Sequence, residues 1–229
     1  MLPSRLAVSL CCALLFCAST ALASSLADLT NADATSGLKA AMEKGSSAAV
    51  AKLGVADGFL KNPKVKIPLP SSLKKARPAL SMLGKEKQLD DLEVAMNRAA
   101  ESAVPMAKPL LVDAVKSMSV DDAKKILKGG DTSVTDFFRD KTSAKLKVQF
   151  LPHVKEVTDR SKLSAKYNNA VKQVSGYGLA KNTPTVEDYV TQKALDGLFL
   201  MIGEEEKAIR KDPVKSGSAI ISKVFGALK

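Results

Sequence analysis

The sequence predicts an all-α fold: a single-domain multi-helix bundle with one short extended Pro-rich arm. Three observations predict it. From residue 73 onward, apolar residues recur at steps of three and four in one segment after another. Ser, Thr, Gly and Pro stand where such segments start and stop. One stretch alone, 58–72, carries a period of two and is rich in proline. The periodic segments add up to about seven to nine helices.

Residues 1–23 read as a signal peptide. Arg5 is their only charge, an apolar run extends from Leu6 to Phe16, and Ala21-Leu22-Ala23 places small residues at −3 and −1 of a cut after Ala23. The run is too short for the roughly 20 residues that cross a bilayer, so no transmembrane span is predicted. Cys17 suggests lipid attachment, but Phe16 stands where the lipoprotein peptidase needs a small residue. The expected product is an exported protein comprising residues 24–229. Cys11, Cys12 and Cys17 all lie in the leader, so that product contains no disulfide and coheres through its core. A chain of this size buries about 70% of its unfolded surface, enough for one domain.

Leu26, Leu29, Leu38, Ala41, Met42, Val50 and Leu53 are spaced for one or two helices, with a break expected near Gly45. The arm at 63–70 follows. Val65, Ile67 and Leu69 alternate with Lys66, Pro68 and Pro70, and prolines at that spacing remove the donors a central strand needs. The arm is therefore expected to lie extended, its three apolar residues pressed on the helices. Leu73, Ala76, Leu80 and Leu83 form the next helical stripe, ending at Gly84, and Leu89, Leu92, Met96, Ala99 and Ala103 the one after. Pro105 and Pro109 suit the first turn of a helix buried through Leu110, Leu111, Ala114, Val115 and Met118.

Ser119 and Asp122 are spaced as a capping box before Ala123, Ile126 and Leu127, and Gly129-Gly130 stops that helix. Val134, Phe137 and Phe138 open a helix that runs toward Phe150 and Leu151 and is expected to end at Pro152, with His153 at a helix start. A short helix uses Tyr167, Ala170, Val171 and Val174, and 176–184 is read as a loop. Thr185 caps the next helix with Asp188, and Val186, Val190, Ala194, Leu198, Met201 and Ile202 share one side of it. It passes through Glu204-Glu205-Glu206, read as a solvated end pairing with later basic residues, and stops before Pro213. Ile220, Ile221, Val224 and Phe225 make the last helix.

Charge narrows the choice of partner. Removing Arg5 from 35 basic residues leaves 34 against 24 acidic ones, a net charge of +10, which favours an anionic partner. Only six of the 35 are arginine and the lysines are dispersed, which argues against nucleic acid. The catalytic signatures are missing: His153 is the only histidine, and no nucleophile elbow, phosphate loop or dinucleotide fingerprint is present. Zinc would need His153 with carboxylates alone, and the segment from Asn31 lacks the glycine and the acid a calcium loop requires, so no metal and no cofactor are predicted.

Two polar sets stand out as a candidate site: Asn97, Arg98 and Glu101 on one helix, and Asp188, Lys193 and Asp196 on another. Arg98 and Glu101 are spaced to pair on one helix surface. Alternatively, the two sets meet as a polar cluster that orders the bundle or grips a ligand.

These residues sit in longer blocks: Asp57-Gly58-Phe59-Leu60-Lys61-Asn62-Pro63 followed by Val65 and Ile67-Pro68-Leu69-Pro70, then Met96-Asn97-Arg98-Ala99-Ala100-Glu101, Ala103-Val104-Pro105 with Ala107-Lys108-Pro109, and Asp188 to Thr191 with Lys193 to Phe199. Together they resemble the bacterial domain-of-unknown-function 4197 family over nearly all of the chain after the leader. The resemblance implies an exported bacterial helical protein, which places it in the periplasm, and brings no activity with it. The expected function is a non-catalytic envelope protein that binds an anionic or amphiphilic partner: a lipid, a glycan or a protein. The alternative is a carboxylate-based hydrolase of an envelope polymer, which needs only two suitably spaced acids, with Glu101, Asp188 and Asp196 as candidates if they face one cleft.

Overall fold

Thr30, Ser119 and Thr185 each accept the backbone N–H three residues on, at 3.0 to 3.1 Å, and a helix starts after each because an orphan donor has been satisfied. At Ser119 the partner Asp122 reaches back to the cap N–H, completing the capping box. The computed structural model describes residues 30–175 and 184–228; the predicted signal peptide and, apart from Pro184, the predicted loop at 176–184 lie outside them. The described chain is all-α: α1 (Asn31–Leu53), α2 (Ser71–Met82), α3 (Glu86–Ala103), a 3₁₀ turn (Val104–Met106), α4 (Ala107–Lys116), α5 (Val120–Lys128), α6 (Ser133–Arg160), α7 (Leu163–Ser175), α8 (Val186–Lys211), a second 3₁₀ turn (Val214–Ser216) and α9 (Ala219–Gly226).

One apolar core takes residues from every helix. The helix α8 is central, lying against α6, α1 and α3, and α1 is flanked on its other sides by α9, α4 and α5. The side expected to be apolar on α8 is buried from Val186 through Ile202. Tyr167 on α7 is also buried, and its hydroxyl donates to the Pro184 carbonyl at 2.8 Å just ahead of α8. Burial pushes that phenol up to about 12.

Three expectations are corrected. Helix α1 runs through Gly45 without a break. Gly37 marks a close approach, since a Cβ there would stand 2.4 Å from Val224 Cγ2, whereas a Cβ on Gly45 would make ordinary contact with Glu205 Cβ at 3.4 Å. Helix α6 also continues through Pro152, so His153 lies within it and not at a start. Pro152 is exposed and the donor it lacks would have met the carbonyl of Val148, itself exposed, so water can satisfy the freed oxygen. Leu83 leaves the buried stripe of α2 and is 62% exposed.

Residues 66–70 are neither helix nor strand, and Val65, Ile67 and Leu69 are buried while Lys64, Lys66 and Pro68 are exposed. No strand lies beside this stretch among the described residues, so its backbone groups need side-chain partners.

Candidate functional site

Asn97 supplies those partners. Wholly buried on α3, it accepts the Ile67 N–H at 2.8 Å through Oδ1 and donates to the Ile67 carbonyl at 2.9 Å through Nδ2, so one amide pairs with the arm as a neighbouring strand would. Tyr189 on α8 donates to the Pro68 carbonyl at 3.0 Å, and Lys66 pairs with Glu93. One turn along α3, the buried Glu101 accepts the N–H groups of Phe59 and Leu60, each at 3.0 Å, on Oε1. Its Oε2 takes Arg98 Nη1 at 2.7 Å, and Arg98 Nη2 reaches Asp57 Oδ1 at 2.7 Å. Arg98 and Glu101 therefore do more than pair on a surface: they clamp the turn that follows α1.

That turn requires its sequence. Asp57 adopts φ +70°, and a Cβ on Gly58 would stand 2.5 Å from the Leu53 carbonyl oxygen. Phe59 is fully buried against Gly197 of α8, where a Cβ would meet the ring at 2.7 Å. The Lys61 ammonium and then the Arg98 guanidinium hold the Asp57 carboxyl below the ordinary aspartate range, and Glu101 and Asp57 raise Arg98 in turn.

The second predicted set behaves differently. Asp188 accepts the Thr185 hydroxyl at 2.8 Å and belongs to the start of α8. Lys193 and Asp196 form a loose pair at 3.8 Å, with Gln192 donating to Asp196 at 3.0 Å and Lys193 lying over the Tyr189 ring. The hydrogen bonds and ion pairs of the two sets thus run to different partners, although α3 and α8 lie side by side.

Sequence reading also missed a second buried clamp. Glu206, expected at a solvated helix end, is buried, and its two carboxylate oxygens accept the Val134 and Thr135 N–H groups at 3.0 and 3.1 Å. Those are the second and third donors of α6, whose own N-cap residue, Thr132, makes no side-chain cap. Arg210 pairs with Glu206 at 3.1 Å, donates to the Ile126 carbonyl at the end of α5, and lies over the Phe225 ring of α9. The i, i+4 spacing of Glu206 and Arg210 was the available signal, but their burial depends on tertiary packing.

The open surface holds the remaining chemistry. Between α6 and α8 runs a groove of about 290 Å³, with Leu195, Phe199 and Ala144 as its apolar floor, Arg139, Ser143 and Lys147 along one edge, and Gln192 and Asp196 along the other. Arg139, Ser143 and Lys147 are four residues apart, so α6 presents them in a row. Arg77, Arg98, Arg160 and Arg210 each pair with a carboxylate. Among the described residues Arg139 is the arginine that has none; it lies over the Phe199 ring, 5.3 Å from its centroid. Lys147 is exposed and, among the described residues, has no carboxylate partner either. Among the described residues, no three His, Cys, Asp or Glu side chains are placed to hold a metal ion, and no helix is long and apolar enough to cross a membrane.

A family model described as a protein of unknown function (DUF4197) matches residues 28–226. No curated protein and no solved structure matches the chain.

Proposed function

The chain belongs to the DUF4197 family, and from that premise we propose that it is an exported, periplasmic, non-catalytic envelope protein that binds an anionic amphiphile in the groove between α6 and α8. The observation that carries this reading is Arg139: a guanidinium with no carboxylate of its own, held over an aromatic ring at the rim of an apolar floor. Such an arrangement leaves the cation's donors free for a phosphate or carboxylate head, with Lys147 two turns further along the same edge. Leu195 and Phe199, 4% and 3% exposed, form the apolar base of the groove against which an alkyl chain would lie. The leader-like first 23 residues and the net positive charge support an envelope setting.

Hydrolysis by paired carboxylates receives less support. Glu101 and Glu206 are committed to backbone N–H groups and arginines. Asp188 accepts the Thr185 hydroxyl at the start of α8, and Asp196 accepts from Gln192.

The test is thermal stabilisation of residues 24–229 by dodecyl phosphate, with dodecyl maltoside as the neutral control. Saturable stabilisation by the phosphate alone is expected, with affinity reduced about tenfold to a hundredfold by Arg139→Ala, as loss of a charged hydrogen bond predicts. Equal responses to both amphiphiles, or an unchanged Arg139→Ala, would contradict the groove as the site, and selective binding of an anionic glycan instead would replace the amphiphile.

A further inference from the structure

The outward face of α2 has two unlike halves. Ser71, Lys74, Lys75, Pro78, Ala79 and Met82 recur at helical spacing and are all exposed. The first half is basic and the second apolar, ending in Met82, 89% exposed, and Leu83, 62% exposed. These two are held at a defined corner. Gly84 adopts φ +70° and donates its N–H to the Ser81 carbonyl at 2.9 Å, and Lys85 N–H reaches the Leu80 carbonyl at 2.9 Å, the paired bonds of a Schellman turn. Adjacent large apolar side chains, one almost wholly in water, are costly to hold there unless something covers them.

The surrounding charge indicates what covers them. Among the described residues Lys74 and Lys75 make no ion pair, while the nearby acids are occupied: Asp90 by Arg77 and Asp91 by Lys87. Glu86 faces the positive end of α3, in its first turn. Just behind the corner, a hollow of about 280 Å³ is lined by Leu80, Leu89 and Ala170, with Lys85 and Lys166 among its polar residues. Among the described residues no aromatic is one of the exposed large apolar side chains, which is unlike the anchor of a protein interface. The chain's bias to lysine over arginine likewise suits a diffuse anionic surface better than forked recognition.

We propose that the α2–α3 corner docks this protein on an anionic phospholipid surface, with Met82 and Leu83 entering the acyl boundary and Lys74, Lys75, Lys85 and Lys166 meeting the phosphates. The proposal stands apart from the groove between α6 and α8 and does not depend on it.

The chain contains no tryptophan, so one introduced residue reports alone. In residues 24–229, Met82→Trp should shift its emission to the blue on vesicles of phosphatidylglycerol and phosphatidylcholine in equal parts, and not on phosphatidylcholine alone. Val214→Trp, at an exposed apolar position outside the corner, should not shift. In sedimentation with the same vesicles, the double substitution Met82→Asp with Leu83→Asp should lower partitioning about tenfold or more, and Lys74→Glu with Lys75→Glu should also lower it and flatten its salt dependence. Because all four positions are exposed, a circular dichroism spectrum equal to that of the unsubstituted protein should accompany each loss. Absence of vesicle binding, equal shifts at residues 82 and 214, or partitioning unchanged by the double Asp variant would overturn the proposal, as would retention of a protein partner at this corner in place of vesicles.

Discussion

At the scale of single residues, Glu101 has the most to hold. Replacing it with Ala would strand one buried and one partly buried N–H group and leave Arg98 with only Asp57. A cost of about 3–5 kcal/mol is expected, read as a lowered urea midpoint with unchanged slope. Asp57 makes a different prediction because its pKa is depressed. A carboxyl whose folded-state pKa lies below its unfolded value of 3.8 stabilises the fold above that pH, and loses that contribution as the pH falls through the folded-state value. Stability should therefore decline below about pH 4, and Asp57→Asn should flatten part of that acid limb while leaving the limb above neutrality as it was. An acid limb identical in the two proteins would show that the clamp carries no such linkage.

At the scale of elements, helices were legible wherever their signal was local. Caps at Ser119 and Thr185, the stripe of α8 and the alternation of the arm could all be read, because each depends on neighbours within a turn or two. Pro152 and Gly45 misled for the opposite reason: whether a proline or glycine breaks a helix depends on what its freed carbonyl faces or what packs against it, which is tertiary information. Asn97, Arg98 and Glu101 were legible as a polar set. Their true partners, the backbone at 57–67, were not, since an amide replacing a strand neighbour leaves no period in the sequence. Glu206 shows the same limit between α8 and α6. Glu206→Ala should cost about 3–5 kcal/mol, with amide exchange rising first at Val134 and Thr135, whose donors it accepts. If protection is lost evenly across α6 instead, the side chain does not act as that helix's cap.

At the scale of the whole molecule, the blocks that carry the family resemblance converge. Residues 57–70 are gripped by Asn97, Arg98 and Glu101, Phe59 lies on Gly197, and a Cβ on Gly54 would stand 2.7 Å from Pro105. Much of the recognisable sequence thus knits α1, the arm, α3 and α8 together. The groove draws mainly on residues outside those clamps, Arg139, Ser143 and Lys147, which show no helical signature beyond being an exposed polar edge. For that reason the proposed binding site was the least legible part of the chain. Its occupancy is measured most directly by nuclear magnetic resonance of residues 24–229 titrated with dodecyl phosphate. The account predicts saturable shifts at the Arg139 side-chain N–H and at Leu195 and Phe199, ahead of any lysine. Shifts spread evenly over the lysines, with none at Arg139, would contradict it.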